Sequence, residues 1–132
     1  MVVHTFAAIY IGTYDVSLKV FEFMDKKKFH QVDHIRARLD LGSDAFAEGR
    51  IGYERVEELC ETLAQFKEIM DSYRVKDYEV FASAVLRDAE NELFVLNQVY
   101  LRTGFHVKVV SNSEHRFISY KSVACLLYTS PS

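Results

Sequence analysis

The chain has 132 residues and a formal net charge of −3, with 49% apolar and 27% charged residues. This length predicts one domain with a real hydrophobic core. The slightly negative charge argues against generic nucleic-acid binding. No apolar stretch approaches the roughly 18 residues that span a membrane. The sequence begins directly with a strand-like run, so we expect no signal peptide. We therefore expect a globular protein with no nucleic-acid or membrane partner.

The cysteine content indicates the compartment. Cys60 and Cys125 are far apart in the sequence and have no metal-ligand spacing. Free thiols are typical of the reducing cytoplasm, which is the location we predict. His30 and His34 do not complete a cluster with these cysteines, so no metal site is predicted from them.

The sequence opens with two strand-like runs around a turn. Residues 2–11 are almost continuously apolar, as is typical of a central strand buried on both faces. Residues 16–23 alternate between apolar and polar positions over most of their length, which predicts a half-buried strand. Between them lies a predicted hairpin loop that we name the glycine turn, made of Gly12, Thr13, Tyr14 and Asp15. Backbone N–H groups in such a turn can bind an anion, although Gly12 can also serve only to close the hairpin.

The remaining sequence alternates between strand and helix patterns. It predicts a strand over 29–41, a loop rich in small residues over 43–52, a helix over 53–73, a strand over 77–84, a helix over 91–102, a strand over 105–110 and a helix over 113–124. The helix over 53–73 has the strongest pattern, because its apolar residues recur at spacings of three and four. Asn91 is predicted to cap the following helix, and Gly104 to end it.

Four segments resemble the exopolyphosphatase/guanosine pentaphosphate phosphohydrolase (Ppx/GppA) family, which belongs to the actin, sugar-kinase and heat-shock chaperone superfamily. Residues 7–13, AAIYIGT, resemble its A-x-I-D-I-G-S opening, and residues 35–42, IRARLDLG, resemble its R-L-G-x-G region. Residues 82–91, ASAVLRDAEN, resemble the more specific A-T-S-A-L-R-x-A-x-N. Residues 109–117, VVSNSEHRF, resemble V-I-S-G-x-E-E-A-R. The resemblance covers about residues 6–124.

This resemblance implies an α/β fold, namely the ribonuclease-H-like lobe of that superfamily. Its order is β-β-β-α-β-α-β-α, with a mixed sheet covered by helices. Residues 1–124 would form this N-terminal lobe, and residues 125–132 would be a tail outside the family pattern, left by truncation or an artificial chain end. The family's second lobe is not in the sequence, so we expect a fragment that is inactive alone. The implied substrate is inorganic polyphosphate or guanosine pentaphosphate (pppGpp), and a homodimer of the full-length protein is left open.

Hydrolysis of a phosphoanhydride needs stabilised phosphoryl oxygens, an activated water and correct positioning. The backbone N–H groups of Gly12, Thr13 and Tyr14 can bind phosphate. Arg87 can grip phosphate oxygens through its fork of donors, and Glu114 can orient or deprotonate the water. The resemblance implies the same roles, since the matching arginine binds phosphate and the matching glutamate is the catalytic base. Without chemistry, Arg87 would be a surface residue and Glu114 a carboxylate in the first turn of a helix.

Tyr10 is the main departure from the family, which has an aspartate there that helps to hold a divalent cation. The family implies Mg²⁺, but a neutral phenol cannot replace a carboxylate as its ligand, so no metal ligand is assigned. Tyr14 replaces an asparagine, and Ser17 replaces a basic residue. Two alternatives therefore stay open. Tyr10 favours a non-catalytic binding or regulatory lobe, whereas the Arg87 and Glu114 motifs count against a sugar-kinase-like, ATP-binding lobe.

Overall fold

A computed structural model describes residues 4–25 and 28–109 of the chain. Its elements follow in the order β1 (His4–Ile11), β2 (Asp15–Asp25), β3 (Lys28–Arg38), α1 (Leu41–Glu48), α2 (Tyr53–Ser72), β4 (Asp77–Ala82), α3 (Ala84–Arg87), α4 (Glu92–Thr103) and β5 (Val107–Val109). The strands form one sheet in the order β3-β2-β1-β4-β5. β1 pairs antiparallel with β2 and parallel with β4, which confirms the predicted α/β class with a mixed sheet.

β1 lies at the centre of the sheet because both of its faces are largely apolar. Ala7, Ile9 and Ile11 point to one face and are fully buried. The opposite face carries Phe6, which is 4% exposed, and Tyr10, which is partly buried near the end of the strand. The predicted central strand is therefore confirmed, and Tyr10 occupies its last position on that second face.

α2 and α4 pack on each other and share one apolar core with the sheet. Arg102 Nη1 donates to Glu57 Oε2 at 2.7 Å, and Lys67 Nζ donates to the Thr103 carbonyl at 3.1 Å, so polar contacts also join the two helices. α4 ends at Gly104 with a φ of 79°, the left-handed conformation expected of a glycine stop. None of the helices within the described ranges is both long and apolar enough to cross a membrane.

β1, β4 and β5 run parallel, so their carboxyl ends meet at one edge of the sheet. In register, Ile11 lies beside Ala82, and Ala82 lies beside Val109. The Ser83 N–H donates to the Ile11 carbonyl at 2.9 Å and fastens the start of α3 to the end of β1. Ligands of open α/β sheets bind at such an edge, so a functional site is expected here.

The predicted loop over 43–52 is wrong, because most of it belongs to α1 or to its end. Asp40 Oδ1 accepts a hydrogen bond from the Ser43 N–H at 2.9 Å and caps the helix. Gly49, with a φ of 73°, ends it. Asp, Ser and Gly are typical of loops, but they are equally the residues that begin and end a short helix. β3 accordingly ends at Arg38, earlier than predicted.

β4 is also shorter than predicted. It ends at Ala82, because the next residue, Ser83, is already the N-cap of the short helix α3. The predicted strand over 105–110 is present as β5, from Val107 to Val109, within the described residues. The predicted helix over 113–124 lies outside them.

Candidate functional site

The glycine turn joins β1 to β2 at the carboxyl edge. The Gly12 N–H donates to the Asp15 carbonyl at 2.7 Å and closes the hairpin. This amide is used within the turn, which corrects the expectation that it is free for an anion. Within the described part of the chain, no hydrogen bond is found from the Thr13 or Tyr14 amide, so these two N–H groups can still bind an anion.

α1 holds the glycine turn in place. The Thr13 carbonyl accepts hydrogen bonds from the N–H groups of Leu41 at 3.0 Å and Gly42 at 2.9 Å. The Tyr14 carbonyl accepts one from the Leu39 N–H at 3.0 Å. Gly42 permits this approach, since a Cβ at its position would lie 2.5 Å from Thr13 Cγ2. The turn and the first residues of α1 therefore form one tightly packed unit.

The side chain of Tyr10 lies beside the glycine turn. A Cβ built on Gly12 would lie 3.4 Å from Tyr10 Cε2 and 3.0 Å from Asp15 Oδ1, so both side chains approach the same glycine. Burial raises the pKa of Tyr10, a hydrogen bond with Ser83 acts in the opposite direction, and the Asp15 carboxylate raises it further. The net pKa is raised, so the phenol is neutral at pH 7.

Asp15, at the start of β2, is paired with an arginine of β3. Arg36 Nε donates to Asp15 Oδ2 at 3.0 Å, and Arg36 Nη2 contacts the same oxygen. This pairing offsets the negative charge beside the turn, where a free carboxylate would repel a bound phosphate. It also engages one of the two carboxylate oxygens that lie beside the turn.

The described residues do not fit a divalent cation. No group of three or more His, Cys, Asp or Glu side chains among them could hold a metal ion. The oxygen donors beside the glycine turn are a neutral phenol, Tyr10, and a carboxylate already paired with Arg36. Mg²⁺ is usually held by free carboxylates and phosphates, which these two side chains do not supply. Cys60 is a free, buried thiol whose pKa is raised by that burial.

Arg87 is the last residue of α3, directly beyond the edge. Ser83 is the N-cap of this helix, and its Oγ accepts a long hydrogen bond of 3.4 Å from the Val85 N–H. The Arg87 side chain is 51% exposed, and its Nε lies 3.9 Å from Asp88 Oδ1. So loose and exposed a pair leaves the guanidinium available to phosphate. Glu114, the predicted catalytic base, lies outside the described residues.

Asn91 has a role that the sequence pattern does not predict. It occupies the N-cap position of α4, as predicted, but its side chain makes no capping hydrogen bond there. Its Oδ1 accepts from the Ile51 N–H at 2.9 Å, and its Nδ2 donates to the Ile51 carbonyl at 2.8 Å. The two residues are 40 positions apart, which leaves no local pattern to detect. The only sequence signal is that Asn91 ends the 82–91 motif.

The fold and its site define the class of protein. Antiparallel β1, β2 and β3 are followed by β4 and β5, which extend the sheet in parallel beside β1, with a glycine turn at the end of β1. This is the ribonuclease-H-like lobe of the actin, sugar-kinase and heat-shock chaperone superfamily. The family model described as the Ppx/GppA phosphatase family matches residues 20–130. The chain belongs to the Ppx/GppA phosphatase family.

Solved structures agree with this assignment. A Ppx/GppA family member from Aquifex aeolicus has a TM-score of 0.85 at 23% identity, over 99% of this chain and 42% of its own. A type II variant of the Aquifex aeolicus Ppx/GppA phosphatase has a TM-score of 0.81 at 26% identity, over 89% and 41%. An exopolyphosphatase from Cytophaga hutchinsonii shares the fold, with a TM-score of 0.78 at 18% identity, over 83% and 35%. The chain thus spans less than half the length of these structures. A comparison with curated proteins finds no match.

Proposed function

We propose that the chain is the N-terminal lobe of an exopolyphosphatase-type phosphohydrolase, which releases the terminal phosphate of inorganic polyphosphate or of pppGpp. The main support for this function is the position of two structural elements. The glycine turn and α3, which ends in Arg87, extend from the carboxyl ends of two adjacent parallel strands, β1 and β4. Membership of the Ppx/GppA phosphatase family supports the reaction class.

Each proposed residue has one task in the reaction. The amides of Thr13 and Tyr14 and the guanidinium of Arg87 bind phosphate oxygens and stabilise the charge that develops on them. Glu114 accepts a proton from the water that attacks the terminal phosphorus. The bond from that phosphorus to the bridging oxygen breaks, and the shortened chain leaves with the bonding electrons on that oxygen. The products are inorganic phosphate and a chain that is one phosphate shorter.

The activity belongs to the full-length protein in this proposal. The chain spans 42% of the length of the first Aquifex aeolicus structure, and the cleft of a two-lobed phosphatase needs both lobes. We therefore expect the 132-residue chain alone to be inactive. A cytoplasmic location is part of the proposal and is supported by the free thiol of Cys60.

A non-catalytic binding or regulatory lobe is the second candidate, and Tyr10 is the observation that favours it. Its phenol is neutral and hydrogen-bonded to Ser83, and the neighbouring Asp15 is paired with Arg36. The donors for phosphate are thus retained, whereas the donors for a cation are not. Such a lobe would bind a polyphosphate chain without cleaving it.

Phosphate release by the full-length protein separates the candidates. Malachite-green detection would follow release from polyphosphate, pppGpp and ATP, with and without Mg²⁺, while calorimetry would follow binding. Release from polyphosphate or pppGpp supports the phosphohydrolase, and the ratio of the two rates identifies the preferred substrate. Binding without release supports the binding lobe. If neither polyphosphate nor pppGpp binds, both candidates are wrong.

A further inference from the structure

The loop between α1 and α2 is tied to the junction between α3 and α4. The Asn91 side chain makes two hydrogen bonds to the backbone of Ile51, and the Glu90 N–H donates to the Gly49 carbonyl at 2.8 Å. We call these three hydrogen bonds the clamp. Ile51 is fully buried, so its N–H and carbonyl cannot readily turn to water if Asn91 is removed.

The clamp is connected to the glycine turn through α1. Asp44, in the first turn of α1, accepts a hydrogen bond from the Gly52 N–H at 2.8 Å through its Oδ2. At the start of the same helix, the N–H groups of Leu41 and Gly42 donate to the Thr13 carbonyl. α1 therefore connects two parts of the site. Its first residues bind the glycine turn, and Asp44 binds the loop between α1 and α2, which takes part in the clamp.

A second connection fixes the other end of α3. The Ser83 N–H is bound to the Ile11 carbonyl at the end of β1, immediately before the glycine turn. α3 thus lies between an attachment to the sheet, at Ser83, and the clamp, at Glu90 and Asn91. Arg87 lies on the short segment between these two attachments. The hydrogen bonds form a closed ring that contains both proposed phosphate-binding elements.

We propose that Asn91 is a positioning residue, which holds the Arg87 segment in a fixed arrangement with the glycine turn. The consequence for phosphate binding rests on the proposed function, whereas the coupling between the clamp and the turn does not. If Asn91 only stabilised its own loop, its loss would leave the amides bound to Thr13 unaffected. If it couples the two elements, its loss loosens both.

Amide hydrogen exchange of the 132-residue chain tests the coupling without a ligand. Asn91→Ala should accelerate exchange at Ile51 and Glu90 by about tenfold, the effect expected for the loss of a buried hydrogen bond. It should also accelerate exchange at Leu41 and Gly42, the donors to the turn. Asn97→Ala is the matched control, because Asn97 is exposed on α4. Unchanged exchange at Leu41 and Gly42 would overturn the coupling.

Asn91→Asp is the second variant if Asn91→Ala does not fold. It keeps an acceptor for the Ile51 N–H but places an oxygen against the Ile51 carbonyl, so one of the two contacts becomes repulsive. The same amides should exchange faster than in the unaltered chain. Unchanged exchange at the Thr13-bound amides in this variant would also overturn the proposal.

Tripolyphosphate binding to the full-length protein, measured by calorimetry in a double-mutant cycle, tests the positioning role. Asn91→Ala should weaken binding by roughly twofold to thirtyfold when Arg87 is present, and have little effect in an Arg87→Ala background. An equal loss in both backgrounds, or no loss in either, would overturn the positioning role. If the unaltered full-length protein does not bind tripolyphosphate, the proposed function fails, and hydrogen exchange still decides the coupling.

Discussion

The two sides of the carboxyl edge differ in what they retain from the family pattern. On the α3 side, Ser83 caps the helix and Arg87 is exposed at its end. On the β1 side, the glycine turn is present, but Tyr10 replaces the aspartate, and Asp15 is paired with Arg36. The groups proposed to bind phosphate differ in kind from those that a cation would need, because the first are backbone amides and one guanidinium, whereas the second are free carboxylates.

The largest effect should come from Glu114, the proposed catalytic base. In the full-length protein, Glu114→Gln keeps the shape of the side chain but removes its basicity, so turnover should fall by roughly 10²- to 10⁴-fold. Polyphosphate binding should change little. Glu92→Gln is a matched control, because it makes the same change at a glutamate in the first turn of α4. Phosphate release at the unaltered rate by Glu114→Gln would remove Glu114 from the chemistry.

Arg87 should affect binding rather than turnover. Arg87→Ala removes charge-assisted contacts to phosphate, and polyphosphate affinity in the full-length protein should fall by about 1.5–3 kcal/mol. Lys76→Ala serves as the control, since Lys76 is an exposed cation before the amino end of β4, at the opposite edge of the sheet. Calorimetry would measure the polyphosphate affinity of both variants. Equal losses would mean that binding responds to net charge and not to this edge.

Gly42 tests the packing of the turn itself. Gly42→Ala would place a methyl group 2.5 Å from Thr13 Cγ2, so the turn or α1 must move. We expect a loss of about 1–3 kcal/mol in the free energy of unfolding, as for overpacked cores, measured by urea denaturation. Ala47→Ser, at an exposed position of the same helix, should have a smaller effect. Equal stability of the Gly42→Ala and unaltered chains would show that the turn can shift without cost.

The smallest effect should be on the pH dependence of stability. Hydrogen bonds from Ser43 lower the pKa of Asp40, and a hydrogen bond from Arg102 lowers that of Glu57. A lowered folded-state pKa stabilises the fold above the unfolded pKa, near about pH 4, and this contribution is lost as the pH falls below it. Melting temperatures measured from neutral pH to about pH 3 should fall less steeply for Asp40→Asn than for the unaltered chain. Parallel curves would exclude a contribution from Asp40.

Sequence patterns predict the strands and helices whose formation depends on neighbouring residues in the chain. The continuous apolar run of β1 and the helical spacing in α2 are both confirmed, as is the glycine stop at Gly104. The contacts that build the site join distant residues, such as Tyr10 with Ser83, Thr13 with Gly42, and Asn91 with Ile51. No periodicity or spacing reports such a contact, because it depends on how the strands are ordered in the sheet. α1 is missed for a different reason, since its capping residues are also typical of loops.

We propose that this edge retains phosphate binding but has exchanged its cation ligand for a neutral phenol. Phosphate release from polyphosphate, measured across a Mg²⁺ titration of the full-length protein, tests it most directly. Tyr10→Asp should gain activity that depends on Mg²⁺, whereas the unaltered protein and the control Tyr10→Phe, which keeps the ring but loses the hydroxyl, should respond weakly. Equal activity and equal Mg²⁺ dependence in the Tyr10→Asp and unaltered proteins would contradict the claim.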